Sequence, residues 1–164
     1  GKRFHFIVLK ASKEAANIKL HKIRMFYMKV FPDDLLYSRE HVWVRVDGNM
    51  ATIGITDYAQ EKMGEAISIE LPDADPYIER DEPFGTIETS ARGVIDLISP
   101  VSGEVLSVNE DLLDDIGIVN TDPHDTGWMI IVEMAYLDEL DDLLNLHEYN
   151  EFLIQEAEEE TSVD

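Results

Sequence analysis

Short runs of apolar residues that alternate with polar ones follow one another from Tyr37 to Met134. They recur about every ten residues and are separated by Pro, Gly and Asp clusters, which is typical of small antiparallel β proteins. Asp47-Gly48, between the first two runs, is a two-residue hairpin signal. The pattern predicts seven strands, over residues 42–46, 50–55, 66–71, 83–89, 94–98, 104–108 and 128–134.

Two helical segments interrupt this strand pattern. Thr56 or Asp57 can cap the first and Gly64 can end it, so a short helix is expected over residues 57–63. The second begins near Tyr136, carries the i, i+3, i+4 apolar stripe of an amphipathic helix and is expected to break near residues 145–146. Its stripe consists of Leu137, Leu140, Leu143, Leu144, Tyr149, Phe152 and Leu153. The acidic residues 156–164 are expected to fray because like charges repel one another.

Charge divides the chain into two parts of opposite sign. Thirteen Lys and Arg stand against 35 Asp and Glu, which gives a formal net charge of −22. Residues 1–30 contain eight basic residues and one acid, a net charge of +7, and the rest of the chain carries −29. Because the acidic part repels phosphates, we expect neither nucleic acid nor anionic membranes as partners. The same charge attracts basic proteins, which are the partners that it favours.

The change of sign near residue 30 predicts a domain boundary. Residues 1–30 are interpreted as an expression tag or an upstream start, with Met25 or Met28 as the natural initiator, or as a targeting leader. The apolar residues between 25 and 31 offer an additional edge strand. The folded domain is expected over residues 31–158, including the C-terminal helix, and residues 159–164 form an acidic tail. The expected location is the cytoplasm, or the mitochondrion if residues 1–30 are a transit segment.

The composition removes several kinds of chemistry. Because the chain has no cysteine, disulfides, thiolate-bound metals and a cysteine nucleophile are excluded. The uninterrupted apolar runs are only a few residues long, as at residues 6–9, whereas a membrane-spanning helix needs about 20 residues. An integral membrane protein is therefore not expected. A nucleotide-binding loop is also not expected, since Lys62 follows Glu61 rather than the glycine that such a loop requires.

Signals for catalysis and metal binding are weak. His124-Asp125 with Ser99 or Ser102 would supply the residue types of a nucleophile triad, but no Gly-x-Ser-x-Gly elbow accompanies them, so turn-forming roles are preferred. The five histidines lack the paired spacing that places two imidazoles on one ion. One acidic cluster lacks the order of a calcium-binding loop and is interpreted as a solvated loop. Its members are Asp73, Asp75, Glu79, Asp81 and Glu82.

Several longer motifs make the chain similar to one known family, the H proteins of the glycine cleavage system, over roughly residues 30–158. The motifs are Tyr37-Ser38-x-Glu40-His41-x-Trp43-Val44, ATIGITDYAQ at 51–60, Ile69-Glu70-Leu71-Pro72, Pro83-Phe84-Gly85-x-Ile87-Glu88, SPVSGEV at 99–105, Asn109-Glu110, Val119-Asn120-x-Asp122-Pro123 and Gly127-Trp128. The resemblance implies a mainly β barrel-sandwich hybrid of the lipoyl and biotinyl type, with a short internal helix and a C-terminal helix. It also implies a carrier rather than an enzyme, with lipoate as the family's cofactor.

The chain departs from the family where the lipoyl group should be attached. Family members resemble Glu-Ser-x-Lys-Ala-x-Ser-Asp at a hairpin tip, whereas this segment reads Glu88-Thr89-Ser90-Ala91-Arg92-Gly93-Val94-Ile95-Asp96. Counting back from Ser99-Pro100 places Arg92 at the lysine position, and counting forward from Glu88 places Ala91 there. One residue is thus inserted, and neither candidate is lysine. The surrounding hairpin residues that we single out are Glu88, Ser90, Gly93 and Asp96.

The missing lysine leads to three functional hypotheses. An arginine stays protonated and cannot be acylated as a lysine amine can, so the first is a non-lipoylated protein that carries no cofactor and acts by binding. Its expected partners are glycine decarboxylase, aminomethyltransferase or lipoyl-attaching enzymes. The second is a working lipoyl carrier that transfers the aminomethyl group, with lipoate on another amine such as Lys62. The third is a hydrolase or metal-dependent enzyme on a borrowed fold.

Overall fold

The computed structural model describes residues 15, 17–19, 32–73 and 76–162. The chain separates into two compact units, one of residues 32–145 and one that combines residues 1–31 with residues 146–164. All β-strands that the structure describes belong to the first unit. The candidate functional residues near the hairpin lie in that unit.

Residues 32–145 form two antiparallel sheets. The six-stranded sheet has the order β1-β2-β3-β9-β8-β5, and the three-stranded sheet has the order β4-β6-β7. The strands are β1 (Leu36–Tyr37), β2 (Val42–Asp47), β3 (Met50–Ile55), β4 (Ala66–Glu70), β5 (Tyr77–Ile78), β6 (Pro83–Thr89), β7 (Gly93–Ile98), β8 (Gly103–Val108) and β9 (Ile130–Met134). The seven predicted strands are present, with ends shifted by at most two residues. The pattern missed β1 and β5, because two residues are too short to show an alternation.

The inward faces of the strands bury one continuous apolar core. Ile53, Ile87, Val105 and Val132 come from both sheets and are at most 1% exposed. Successive strand residues point to opposite faces, so the alternation read from the sequence places these side chains on one side of each sheet. Burial of this apolar surface is the main force that holds the sheets together.

The short helix α1 (Asp57–Met63) begins and ends at the residues that the sequence predicted. The Thr56 hydroxyl accepts a hydrogen bond from the backbone N–H of Ala59 at 3.2 Å, which satisfies one of the unpaired donors of the first turn. Gly64 ends the helix with φ of +76°, a conformation that a residue with a side chain adopts only with strain. Two further helical turns, α2 (Asp111–Asp114) and α3 (Ile118–Thr121), were not predicted.

The segment after Tyr136 differs from the single amphipathic helix that its stripe suggests. Residues Leu137–Asp142 form a 3₁₀ helix, and an α-helix, α4, follows only at Leu146–Ser162. Between them Leu144 pairs with Tyr37, each backbone N–H donating to the other's carbonyl at 2.7 Å. These two hydrogen bonds keep the chain extended next to the break expected at residues 145–146. Leu144, a member of the apolar stripe, therefore belongs to a β-bridge rather than to a helix.

The acidic C-terminal end does not fray where the charge repulsion predicted. Helix α4 continues through Ser162, because glutamate is a good helix former, and Lys19 forms an ion pair with Glu160 within the same unit. The edge strand expected from residues 25–31 and the last two residues of the tail lie outside the described residues. Among the described helices, none is long and apolar enough to cross a membrane.

Candidate functional site

The hairpin of β6 and β7 contains the segment in which the family resemblance leads us to expect a lysine. Thr89 pairs with Gly93, and Ser90, Ala91 and Arg92 form the turn between them. Gly93 has φ of +67°, and a Cβ at this position would meet no atom within 4 Å, so the backbone conformation rather than crowding requires glycine. The hairpin predicted from the sequence is therefore present.

The hydroxyl of Thr89 closes this turn from the inside. It donates to the carbonyl of Gly93 at 2.8 Å and accepts from the backbone N–H of Arg92 at 3.1 Å. Thr89 is buried. A buried hydroxyl with both a donor and an acceptor partner fixes the local backbone, because breaking either bond would leave a polar group unsatisfied.

The turn is also attached to the end of helix α1. The Ser90 N–H donates to the Glu65 carbonyl and the Ala91 N–H to the Met63 carbonyl, at 2.9 and 3.1 Å. In return the Glu65 N–H donates to the Ser90 hydroxyl at 2.9 Å. A Cβ at Gly64 would lie 2.6 Å from that hydroxyl, so the glycine permits the close approach. Three hydrogen bonds thus hold the tip against residues 63–65.

The side chains at the tip point to solvent. Ala91, Arg92 and Val94 are exposed, and Val94 retains 67% of its accessible surface. In the part of the chain that the structure describes, Arg92 takes part in no ion pair. The tip therefore presents a fixed positive charge on a backbone that is already ordered.

Two carboxylates of the hairpin share its outer face. Glu88 lies opposite Val94 and Thr86 opposite Asp96, so the alternation of strand residues brings Glu88 and Asp96 to the same side. Both are exposed, and Glu88 accepts a hydrogen bond from the Ser68 hydroxyl at 3.1 Å. Of the residues selected from the sequence, the structure gathers Glu88 and Asp96 on the sheet face and Ser90, Arg92 and Gly93 at the turn.

The relation between the turn and α1 was not foreseen. Lys62 lies on α1, as its position in the sequence suggested, with its ammonium 5.5 Å from the centre of the Tyr58 ring. The next residue, Met63, is the one whose carbonyl binds the turn. The sequence signal that could have pointed to this contact is Gly64, a glycine that allows close backbone approach.

The structure does not support a nucleophile triad. His124 Nε2 accepts from the backbone N–H of Asp57 at 3.0 Å, and the histidine is buried. The Ser99 hydroxyl donates to the Val101 carbonyl at 2.6 Å. The Ser102 hydroxyl donates to Glu139 at 2.9 Å. Because each of these groups has another partner, none activates the others as nucleophile and base.

The acidic loop does not form a metal site among the residues that the structure describes, where no group of three or more potential ligands is found. Arg80, within this loop, is instead paired with carboxylates: its Nη1 donates to Asp142 at 2.6 Å, and its Nε lies 3.6 Å from Glu139. Asp75 lies outside the described residues. The solvated-loop interpretation of the cluster remains a prediction.

Comparison with known proteins places this fold and its motifs in one family. The family model for the glycine cleavage H-protein matches residues 35–156. A glycine cleavage system H protein from Carboxydothermus hydrogenoformans is 47% identical over 131 residues, covering 80% of this chain and 100% of that protein. A mitochondrial glycine cleavage system H protein 2 from Arabidopsis thaliana is 38% identical over 146 residues, covering 89% and 93%.

A solved structure agrees with these matches. The crystal structure of a glycine cleavage system H protein from Mycobacterium marinum has a TM-score of 0.66 and 30% sequence identity, and it covers 73% of this chain and 95% of that one. This match confirms the expected mainly β fold, with two antiparallel sheets and a C-terminal helix. From the matched residues, the sequence identities and the shared fold it follows that the chain belongs to the glycine cleavage H-protein family.

Proposed function

We propose that this chain is a member of the glycine cleavage system that carries no lipoyl group and acts by binding proteins of that system. H proteins of this family are carriers rather than catalytic enzymes. The observation that supports the finer proposal is the hairpin tip, where Arg92 is exposed and no lysine occurs between Lys62 and the end of the sequence.

The chemistry of the tip argues against acylation. Attachment of a lipoyl group needs a nitrogen that gives up its proton and attacks an activated acyl group, and a lysine amine can do this. A guanidinium spreads its charge over three nitrogens and remains protonated at physiological pH. Arg92 therefore supplies a permanent cation rather than an attachment point.

The ordered backbone of the tip favours a binding role. Its hydrogen bonds to residues 63–65 and to Thr89 are formed before any partner arrives. The tip itself then loses less conformational entropy on docking than a mobile loop would lose. We infer that Arg92 enters an anionic recess of glycine decarboxylase, aminomethyltransferase or a lipoyl-attaching enzyme.

A mass measurement tests whether the chain is lipoylated. The full chain is co-expressed with a lipoyl ligase and lipoate, and its intact mass is compared with those of the Arg92→Lys and Ala91→Lys variants. We expect no increase in the parent chain. An increase in either variant would show that the ligase still recognises the remodelled hairpin, so that the missing amine alone prevents attachment. An increase of one lipoyl group on the parent chain would contradict the proposal.

The binding part needs its own measurement. The immobilised full chain is tested against purified glycine decarboxylase, aminomethyltransferase and lipoyl ligase. Arg92→Ala is the variant, and Arg39→Ala, an exposed arginine outside the turn between β6 and β7, is the control. We expect one partner to bind, and binding to fall about tenfold in Arg92→Ala only. Absence of binding to all three proteins would refute the binding role.

One observation favours a second candidate, a working carrier with lipoate on Lys62. The carbonyl of the adjacent Met63 binds the turn, so the end of α1 lies beside the place where the family presents its amine. A lipoyl-sized mass increase that disappears in Lys62→Arg, while Lys62→Arg remains folded by circular dichroism, would establish this alternative.

A further inference from the structure

A groove of about 650 Å³ opens at the end of the domain where β4 and β8 finish, next to α2. Leu71, Pro72 and Asp73, which follow β4, form one part of its lining, and residues 105–111 with Leu113 and Trp128 form the rest. Ala66, at the other end of β4, pairs with Thr89 beside the hairpin turn. At about 3.3 Å per strand residue, Leu71 lies roughly 16 Å further along from that pair. The groove is therefore separate from the hairpin tip.

The lining exposes large apolar side chains. Leu106 is 45% exposed and Leu113 is 59% exposed, and Trp128 is half-buried. Leu106 occupies an outward position of β8, where the alternation along the strand normally places a polar residue in contact with water. Leu113 likewise projects outward from α2, while its neighbour Leu112 is fully buried. Apolar side chains grouped around a concave surface are typical of interaction sites.

The charged groups around this apolar lining all have the same sign. Asp73, Glu110 and Asp111 line the groove, and among the described residues no lysine or arginine does. The chain after residue 30 carries 34 acidic and five basic residues, so the surrounding field is also negative. A second copy of the same acidic surface would be repelled, whereas an occupant with positive side chains beside its apolar ones would be attracted.

We propose that this groove docks a segment of a partner protein that inserts apolar side chains against Leu106, Leu113 and Trp128 and pairs Lys or Arg side chains with the three carboxylates. An amphipathic helix with a basic flank has this chemistry. The proposal goes beyond the role of the hairpin, because none of the groove residues belongs to the turn or to α1. Its test does not depend on lipoate or on Arg92.

The groove contains its own reporter. Trp128 lines it, whereas Trp43 is fully buried, so a change in fluorescence that is lost in Trp128→Phe reports on the groove. The full chain is titrated with a synthetic amphipathic peptide of leucine and lysine, and in parallel with a peptide in which glutamate replaces every lysine. We expect a saturable change with the lysine peptide only. The affinity should fall about tenfold between low and high salt, since the carboxylates are exposed and their attraction is screened.

Matched variants test whether the groove residues carry the binding. Leu113→Ser should weaken binding of the lysine peptide about tenfold. Leu137→Ser, at another exposed leucine that lies outside the groove, should leave binding unchanged. Glu110→Lys should weaken it several-fold, and Glu61→Lys, on the exposed side of α1, should have a much smaller effect. Circular dichroism of each variant shows that it has folded.

Four results would overturn the proposal. The first is no saturable signal at about 1 mM peptide. The second is equal binding of the glutamate peptide, because the rim would then not select for positive charge. The third is a dimer in sedimentation that Leu113→Ser dissociates, which would make the occupant a second copy. The fourth is a change in Trp128 fluorescence that salt causes in the absence of peptide and that Leu113→Ser abolishes. The occupant of the groove would then be residues 1–30 of the same chain.

Discussion

His124 is a buried histidine that serves structure rather than catalysis. Its Nε2 accepts from the Asp57 N–H, and its own carbonyl accepts from Arg45 Nη2 at 2.9 Å. The neighbouring Pro123 carbonyl accepts from the Trp43 indole at 2.8 Å. Burial, reinforced by the positive charge of Arg45, lowers the pKa of His124 to about 4. The imidazole is therefore neutral at pH 7, as its role of acceptor at the start of α1 requires.

This shift makes stability depend on pH in a defined direction. In the unfolded chain a histidine has a pKa of about 6.5, so between about pH 6.5 and 4 the unfolded state binds more protons than the folded state. The free energy of unfolding therefore keeps its full value above pH 6.5 with respect to His124. It falls as the pH is lowered toward 4, by about 3 kcal/mol in total. We expect urea unfolding to show this loss in the parent chain and not in His124→Gln, whose side-chain oxygen can still accept a hydrogen bond.

The control for this prediction is His147→Gln, since His147 is exposed on α4. Subtracting each variant's free energy of unfolding from that of the parent removes the contribution of the many carboxylates, which is common to all three chains. If the pH dependence of the difference for His124→Gln between pH 7 and 4 were no larger than that for His147→Gln, the buried histidine would not be the group responsible.

The turn between β6 and β7 is held by several separate devices. Thr89 closes the turn, Gly93 adopts a positive φ and the Ser90 hydroxyl accepts from the Glu65 N–H. Each device depends on a different residue type: a hydroxyl, a glycine and a short polar side chain. The residues of the hairpin thus determine the shape of its turn, whereas the hydrogen bonds to the end of α1 determine where the turn lies.

Removing the Thr89 hydroxyl should loosen the turn. Thr89→Val keeps the shape and the β-branched preference for strands but leaves the Arg92 N–H without its acceptor, so we expect a loss of about 1–2 kcal/mol in unfolding free energy. The Arg92 amide should also exchange its hydrogen faster. Thr86→Val, a half-buried threonine on the same strand, is the control and should change both quantities little. Unchanged exchange at Arg92 in Thr89→Val would show that the hydroxyl does not hold the turn.

The whole molecule carries a charge that opposes its folding. With 35 acidic and 13 basic residues, exposed carboxylates repel one another in the compact state more than in the unfolded one. Salt reduces this repulsion, because the screening length shortens from about 30 Å at 0.01 M to about 3 Å at 1 M. The acidic surface is thus expected to lower stability while it attracts basic partners.

Salt should therefore stabilise this protein. Raising NaCl from low to high concentration should increase the thermal midpoint by about 2–4 °C, which corresponds to roughly 1 kcal/mol for a chain of this size. A triple variant, Glu61→Gln, Asp114→Asn and Glu133→Gln, removes three exposed charges from separate elements and should have a higher midpoint at low salt and a weaker salt response. A midpoint that falls as salt is added would mean that attractive pairs outweigh the repulsion.

The sequence predicted most of the regular structure because that structure has local causes. The alternation from Val42 to Val46, the Asp47-Gly48 turn and the cap at Thr56 each depend on residues a few positions apart. The helix expected from Tyr136 was only partly right, since Leu144 pairs with Tyr37 from more than 100 positions away. Periodicity alone does not contain such a contact.

The candidate site divides in the same way. The absence of a lysine from the hairpin and the permanent charge of Arg92 are properties of residue identity, and the amino-acid sequence is enough to establish them. The attachment of the turn to Met63 and Glu65, the burial of His124 and the groove between β4, β8 and α2 required the folded chain. Each brings together side chains or backbone groups that are far apart in sequence, and packing rather than local preference determines which of them meet.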